Sequence, residues 1–113
     1  MTKSKPVSVN GDTRSFAISD EIKRYSMIDL GFKETNNKNF VYDHPLYNES
    51  PYNATMKLKI TINAAMDKLS MVITDKSGLQ KVNIFKDESL KPARELLEYM
   101  LRDLMEKQVI EEV

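Results

Sequence analysis

The strongest pattern in the chain is the strict alternation of apolar and polar residues in "MKLKITIN", residues 56–63. Period-two alternation is typical of a strand with one buried face and one solvated face. The pattern recurs in "LSMVIT" (69–74) and, after the turn "DKSG", in "LQKVNIF" (79–85). We therefore predict three consecutive antiparallel strands joined by short links.

A helical period takes over near the C-terminus and predicts a long helix from about 89 to 108. Ser89 is a suitable N-cap, and Pro92 is tolerated because it lies in the first turn. The apolar positions cover roughly half of the helix circumference, which favours a helix held in a curved sheet. These positions are Leu90, Ala93, Leu96, Leu97, Met100, Leu101, Leu104 and Met105.

The N-terminal half contains a shorter helix and two hairpins. Ser19 can cap a helix from about 20 to 30, and Gly31 suits the left-handed position that follows the last turn. "NGDT" (10–13) and "NNKN" (36–39) are turn sequences between apolar stretches, so each predicts a hairpin.

The elements together predict an α+β fold in one domain, residues 1–113. A curved antiparallel sheet of about five to seven strands wraps around the long C-terminal helix, and one short helix lies near the N-terminus. A connection rich in proline and asparagine, from about 43 to 54, leads into the three-strand region.

Composition excludes several chemistries. The chain has no cysteine, which excludes thiol nucleophiles, persulfide carriers and iron–sulfur clusters. Its three glycines lie far apart, so no phosphate-binding loop is expected, and its one histidine matches no zinc spacing. We predict no cofactor and no metal, and the lack of catalytic groups favours a role other than catalysis.

The overall charge is balanced, with 17 basic and 17 acidic residues. A net charge of zero gives no general attraction to nucleic acid or to an anionic membrane. The sequence has no apolar stretch of signal-peptide or membrane-span length. We therefore expect a cytoplasmic protein that does not associate with membranes.

The stretch "FVYDHPLYNESPYN" (40–53) holds the only histidine and three of the five tyrosines. Catalysis by His44 would need a nearby serine and carboxylate. No nucleophile motif supplies the serine, and Asp43 as a strand neighbour would point to the opposite face. The simpler reading is a loop histidine before a proline. His44, Tyr47 and Tyr52 are the candidates for contact with a ligand or partner, although packing of the loop on its own sheet is favoured.

Charge is separated along the chain. Residues 51–86 carry six lysines against two aspartates, a balance of +4, whereas residues 87–113 carry four basic and eight acidic residues, a balance of −4. Lys57, Lys59 and Lys81 are predicted on the solvated face of the sheet, together with Phe85. An ordinary solvated face is favoured over a docking face for an acidic protein. Nucleic acid is disfavoured, because platforms for single strands usually stack two or more aromatic rings.

Chain length, element order and the stretch "GDTRSFAISDEIKRYSMIDLGFKETNNKNFVYDHPL" (11–46) resemble an uncharacterised family of small proteins from lactic-acid-type Gram-positive bacteria. The family is a domain of unknown function labelled with amino acid metabolism. The element order also resembles the TATA-binding-protein-like folds. The resemblance implies a role in amino-acid metabolism and a link to cysteine desulfurases, but it carries no catalytic residue.

Three functions are compatible with the sequence. The favoured one is an accessory or regulatory protein that contacts an enzyme of amino-acid or sulfur metabolism, because a chain without cysteine cannot itself carry sulfur. The first alternative is a binder of a small ligand, in the loop or in a pocket between sheet and helix. The inward methionines, which are expected in the core, could line such a pocket: Met56, Met71, Met100 and Met105. The second alternative is an enzyme that uses His44. The oligomeric state is left open.

Overall fold

The fold is built from six strands and two α-helices in a computed structural model that describes residues 5–46, 56–86 and 88–113. A 3₁₀ turn, Glu88–Leu90, precedes the second helix. The elements in chain order are β1 (Phe16–Ile18), α1 (Arg24–Leu30), β2 (Lys33–Glu34), β3 (Phe40–Leu46), β4 (Met56–Ile62), β5 (Leu69–Asp75), α2 (Lys91–Glu106) and β6 (Ile110–Glu112).

The strands form two antiparallel sheets, one of four strands in the order β2-β3-β4-β5 and one of two strands, β1-β6. The α+β class and the alternation of β4 and β5 are confirmed: every second residue of β4 is buried, from Met56 to Ile62. The sequence predicted one continuous sheet, whereas the structure has two, because β1 pairs with the C-terminal β6 across the register Phe16–Glu112.

Helix α2 places its apolar stripe in the core, as the helical period predicts. Ala93, Leu97 and Leu101 are fully buried, and the remaining stripe residues are buried or pack on the core from its border. The predicted cap is wrong: Leu90 occupies the N-cap position and Ser89 lies in the preceding 3₁₀ turn. The four inward methionines belong to the core or its border, as expected.

Helix α1 is shorter than predicted, because residues 19–22 form a turn and Lys23, the N-cap residue, is extended. The Ser19 hydroxyl accepts a hydrogen bond from the Glu21 amide at 3.1 Å, so it stabilises this turn and not the helix. Gly31 does end the helix, with a φ of 109° and its amide donating to the Ile28 carbonyl at 3.1 Å.

The predicted strand over residues 79–85 is wrong. The Asp75 carboxylate accepts hydrogen bonds from the Ser77 hydroxyl and from the Gly78 and Leu79 amides, at 2.7, 3.0 and 3.2 Å. These bonds hold a turn that leaves the Leu79 side chain exposed. Only an isolated bridge from Lys81 to Thr74 pairs this segment with β5.

The Asn10–Gly11 turn has a second role beyond closing a hairpin. The expected hairpin is reduced to one bridge between Val7 and Phe16. The Asn10 side chain instead reaches the edge of β5, where its oxygen accepts from the Ile73 amide at 2.9 Å and its nitrogen donates to the carbonyls of Ile73 and Val82. Asn10 therefore joins β5 to the segment that follows it.

Arg14 ties this N-terminal turn to α2. Its guanidinium donates to both carboxylate oxygens of Glu98, at 2.8 and 2.5 Å, and to Asp12 at 3.1 Å. The two carboxylates raise the pKa of Arg14 above its ordinary value. The same guanidinium lies 5.6 Å from the centroid of the Phe16 ring, so it also covers the edge of the core.

Candidate functional site

The candidate site is the outer face of the four-stranded sheet, opposite the core. Because side chains alternate along a strand, burying Leu58 and Ile60 places Lys57 and Lys59 on this outer face. The residues that alternate with the core positions on β3, β4 and β5 are mostly exposed or half-buried. They are Val41, Asp43, Pro45, Lys57, Lys59, Thr61, Ser70, Val72 and Thr74.

The structure brings the three predicted lysines to this one face. Lys57 pairs in register with Thr74, and Thr74 bridges to Lys81, so the three residues form one row across the sheet. Lys59 lies in the next row, opposite Asp43. The Asp43 carboxylate lies 3.3 Å from the Lys57 ammonium, whereas Lys59 and Lys81 are exposed.

Phe85 does not join them, which corrects the predicted solvated face. Its ring is half-buried and packs against the core. The outer positions of β3, β4 and β5 include no aromatic residue. The described strand positions of this face therefore do not supply the stacking rings that a platform for single-stranded nucleic acid uses.

His44 lies inside β3 and not in a loop, so the prediction of a connection beginning there is wrong. Its ring is half-buried and stacks on Tyr42, with 5.8 Å between centroids and 19° between planes. Nδ1 lies 2.9 Å from the Pro45 carbonyl oxygen. Because a carbonyl only accepts, Nδ1 is the donor, and in the neutral ring the lone pair is on Nε2.

No catalytic arrangement forms around His44 in the described part of the chain. Asp43 points to the opposite face and pairs with Lys57, as the alternation predicts. No described serine or carboxylate is hydrogen-bonded to the imidazole, so a triad is absent there. Tyr47 and Tyr52, the other two candidates from this stretch, lie outside the described residues.

Tyr42 lies between the His44 ring and helix α2. Its ring also contacts Phe32, at 5.1 Å between centroids. Burial raises the pKa of the Tyr42 hydroxyl above its ordinary value of 10.0, and the negative charge of Asp103 on α2 raises it further. The folded state therefore favours the neutral phenol of Tyr42. This preference contributes to the free energy of unfolding below about pH 10, and the contribution is lost as the pH rises through the raised pKa.

Replacing Asp103 with asparagine is expected to lower the pKa of Tyr42 while leaving it above 10.0, because burial is the larger cause of the shift. NMR titration of ¹³C-labelled tyrosine side chains at alkaline pH measures this directly. Glu95→Gln, which removes an exposed charge elsewhere on the same helix, is the matched control. An unchanged Tyr42 pKa in the Asp103 variant would contradict the assignment.

Two of the grooves on the surface of the described residues bear on the candidate site. One, of about 380 Å³, is lined by Gly31, Lys33, Thr35, Val41 and Asp43 at the β2–β3 edge of the outer face. The other, of about 240 Å³, lies on α2 and is lined by Glu95, Glu98, Tyr99 and Arg102. Neither groove is lined by residues of the core between the sheet and α2.

Two other kinds of site are absent from the described ranges. No three His, Cys, Asp or Glu side chains are grouped so that they could hold a metal ion. No helix there combines the length and the apolar character that crossing a membrane requires.

The chain is similar to proteins of one family. A family model described as "Putative amino acid metabolism", DUF1831, matches residues 1–111. The crystal structure of a DUF1831 family protein from Lactobacillus plantarum is 33% identical, with a TM-score of 0.88, over 100% of this chain and 99% of that one. No protein with curated annotation matches at a significant level. The match over nearly the whole sequence shows that this chain belongs to the DUF1831 family.

Proposed function

We propose that this protein is a non-enzymatic accessory protein of amino-acid metabolism that binds an acidic surface of a partner enzyme. The observation that carries the proposal is the row of Lys57, Lys81 and the adjacent Lys59 on the outer sheet face. Asp43 is the one carboxylate among the outer positions of β3, β4 and β5, and Lys57 neutralises it. The face thus presents a net positive charge to a partner.

The chemistry of the chain supports contact over catalysis. It contains no cysteine, so any role in sulfur transfer would be exerted on another protein. The His44 imidazole has no acid or nucleophile hydrogen-bonded to it among the described residues. We further propose that the two sheets and α2 follow a TATA-binding-protein-like arrangement, which the order of strands and helices supports. Such an arrangement leaves the outer face of the main sheet available for binding.

The test is direct binding to enzymes of amino-acid metabolism from the native host, beginning with its cysteine desulfurases. Neutralising Lys59 and Lys81 together, as Lys59→Gln with Lys81→Gln, is expected to slow association about tenfold at low salt. Surface plasmon resonance at several salt concentrations measures the association rate. The wild-type rate should fall as salt rises, because exposed charges are screened.

The matched control removes the same charge from the opposite region of the molecule. Lys91 and Lys107 are exposed at the two ends of α2, so Lys91→Gln with Lys107→Gln changes the net charge equally. This variant should associate at the wild-type rate. Equal rates for both double variants, or no binding of any tested enzyme to the wild type, would overturn the proposal.

A further inference from the structure

The groove at the β2–β3 edge is large enough to hold a small molecule. Its volume of about 380 Å³ falls in the range of pockets that hold small ligands. The left-handed Gly31 turns the chain from α1 into β2, and Thr35 begins the turn into β3. The groove therefore lies where two turns flank a short strand, with Val41 contributing an apolar surface to its lining.

Opposite charges line this groove. Lys33 pairs in register with Val41, and Asp43 follows two residues later on the same face. Diagonal positions of this kind lie about 7–8 Å apart. Lys33 has no ion-pair partner among the described residues, so its ammonium is open to a ligand. The side chain of Asp43 is 45% exposed and its carboxylate lies 3.3 Å from the Lys57 ammonium, so the exposed carboxylate keeps acceptor capacity for a further donor.

Thr35 adds a hydrogen-bond donor. Its hydroxyl oxygen accepts from the Asn39 amide at 3.2 Å, and this bond leaves the hydroxyl hydrogen available to a ligand. Lys33 and Thr35 thus supply donors for an anionic group, while Asp43 accepts from a cationic one.

We propose that this groove binds the zwitterionic head of a free α-amino acid. The ligand carboxylate contacts the Lys33 ammonium and the Thr35 hydroxyl, the ligand ammonium contacts the Asp43 carboxylate, and an apolar part of the ligand covers Val41. A ligand without the carboxylate leaves Lys33 without a partner, and a ligand without the ammonium leaves Asp43 with Lys57 alone, so a zwitterion makes more contacts than either singly charged form. The proposal does not rest on partner docking, which uses Lys59 and Lys81.

The experiment is an NMR titration of the ¹⁵N-labelled protein with each of the standard amino acids in turn, at millimolar concentrations. Amides of Gly31, Lys33, Thr35, Val41 and Asp43 should shift with at least one of them. The N-acetyl and methyl-ester derivatives of that amino acid, each of which lacks one charge, should bind about tenfold more weakly or worse.

Lys33→Met and Asp43→Asn should each weaken binding by about tenfold. Both residues are exposed, so the variants should keep the fold, which their own spectra verify. Lys76→Met, an exposed lysine outside the groove, is the matched control and should bind as the wild type does.

Three results would overturn the proposal: no shift of the groove amides with any amino acid, equal binding of the capped derivatives, or wild-type affinity in both groove variants. Each of these leaves the binding of partner enzymes by the Lys59 and Lys81 face untouched. The two proposals therefore fail separately.

Discussion

Replacing Asn10 with alanine is expected to lower the free energy of unfolding by about 2–3 kcal/mol, since three hydrogen bonds of roughly 1 kcal/mol each are lost. The Asn10 side chain joins Ile73 on β5 to Val82 on the following segment. All three bonds are made by side-chain atoms, so the alanine variant loses all of them. Urea denaturation followed by far-UV circular dichroism measures the loss. Hydrogen exchange of the Ile73 amide should accelerate as well, because its acceptor is removed.

Two further variants separate this explanation from a general effect of mutation. Asn10→Asp keeps the acceptor for the Ile73 amide but cannot donate to either carbonyl when ionised, so at neutral pH it should be destabilised at least as much as the alanine variant. Asn37→Ala, in the exposed turn between β2 and β3, should change stability by less than about 0.5 kcal/mol. Equal losses for Asn10→Ala and Asn37→Ala would refute the bridging role.

The hydrogen bonds of the Asn10 side chain also help to explain why the predicted strand over residues 79–85 is absent. Residues 79–85 carry an alternating pattern, but a pattern over so few residues also fits a turn with two apolar side chains directed inward. The Asp75 carboxylate accepts hydrogen bonds from the Gly78 and Leu79 amides and so holds the turn. At the edge of β5, the Ile73 amide donates to the Asn10 side chain and not to a neighbouring strand. Contacts from residues 63 positions away in sequence have no local signature, so the sequence could not reveal them.

Where the burial pattern is long and regular, the sequence was sufficient. Strand β4 has the predicted alternation over its whole length, Met56–Ile62, and α2 lies within the predicted range. Strand β6 was missed because it has only three residues and follows Gln108, whose φ of 60° is rarely adopted by a residue other than glycine. Its pairing with β1 is a long-range contact.

Pro45 misled the interpretation of the aromatic stretch for a physical reason. Proline lacks an N–H group and is usually excluded from paired strands. Strand β2 pairs with β3 only at Phe40 and Val41, so beyond Val41 no described strand lies on the β2 side of β3. The N–H group that Pro45 lacks would have no strand partner on that side, so its absence has little cost. His44 consequently continues the strand.

The candidate site was only partly visible in the sequence. Alternation predicted the outward lysines Lys57 and Lys59 correctly. The groove between Lys33 and Asp43 was missed, because it depends on the register of a two-residue strand and on the turn at Gly31. A short strand of this kind has too few residues for periodicity to identify it.

Replacing Leu97 with alanine is expected to destabilise the protein by about 3 kcal/mol, whereas Leu96→Ala should cost about 1 kcal/mol or less. Both changes remove the same atoms from the same helix, so helix propensity cancels in the comparison. Leu97 is fully buried, while Leu96 is half-buried at the border of the core. Thermal unfolding of the two variants measures the difference. The melting temperature of Leu97→Ala should be about 10 °C lower than that of Leu96→Ala.

The Leu96 and Leu97 pair also tests how far the sheets enclose α2. The apolar stripe covers both residues, so sequence alone predicts similar losses for the two leucines. The structure predicts a clear difference, because Leu97 is completely buried in the core whereas Leu96 is only half-buried. Equal losses would contradict this difference and would mean that Leu96 is buried as completely as Leu97.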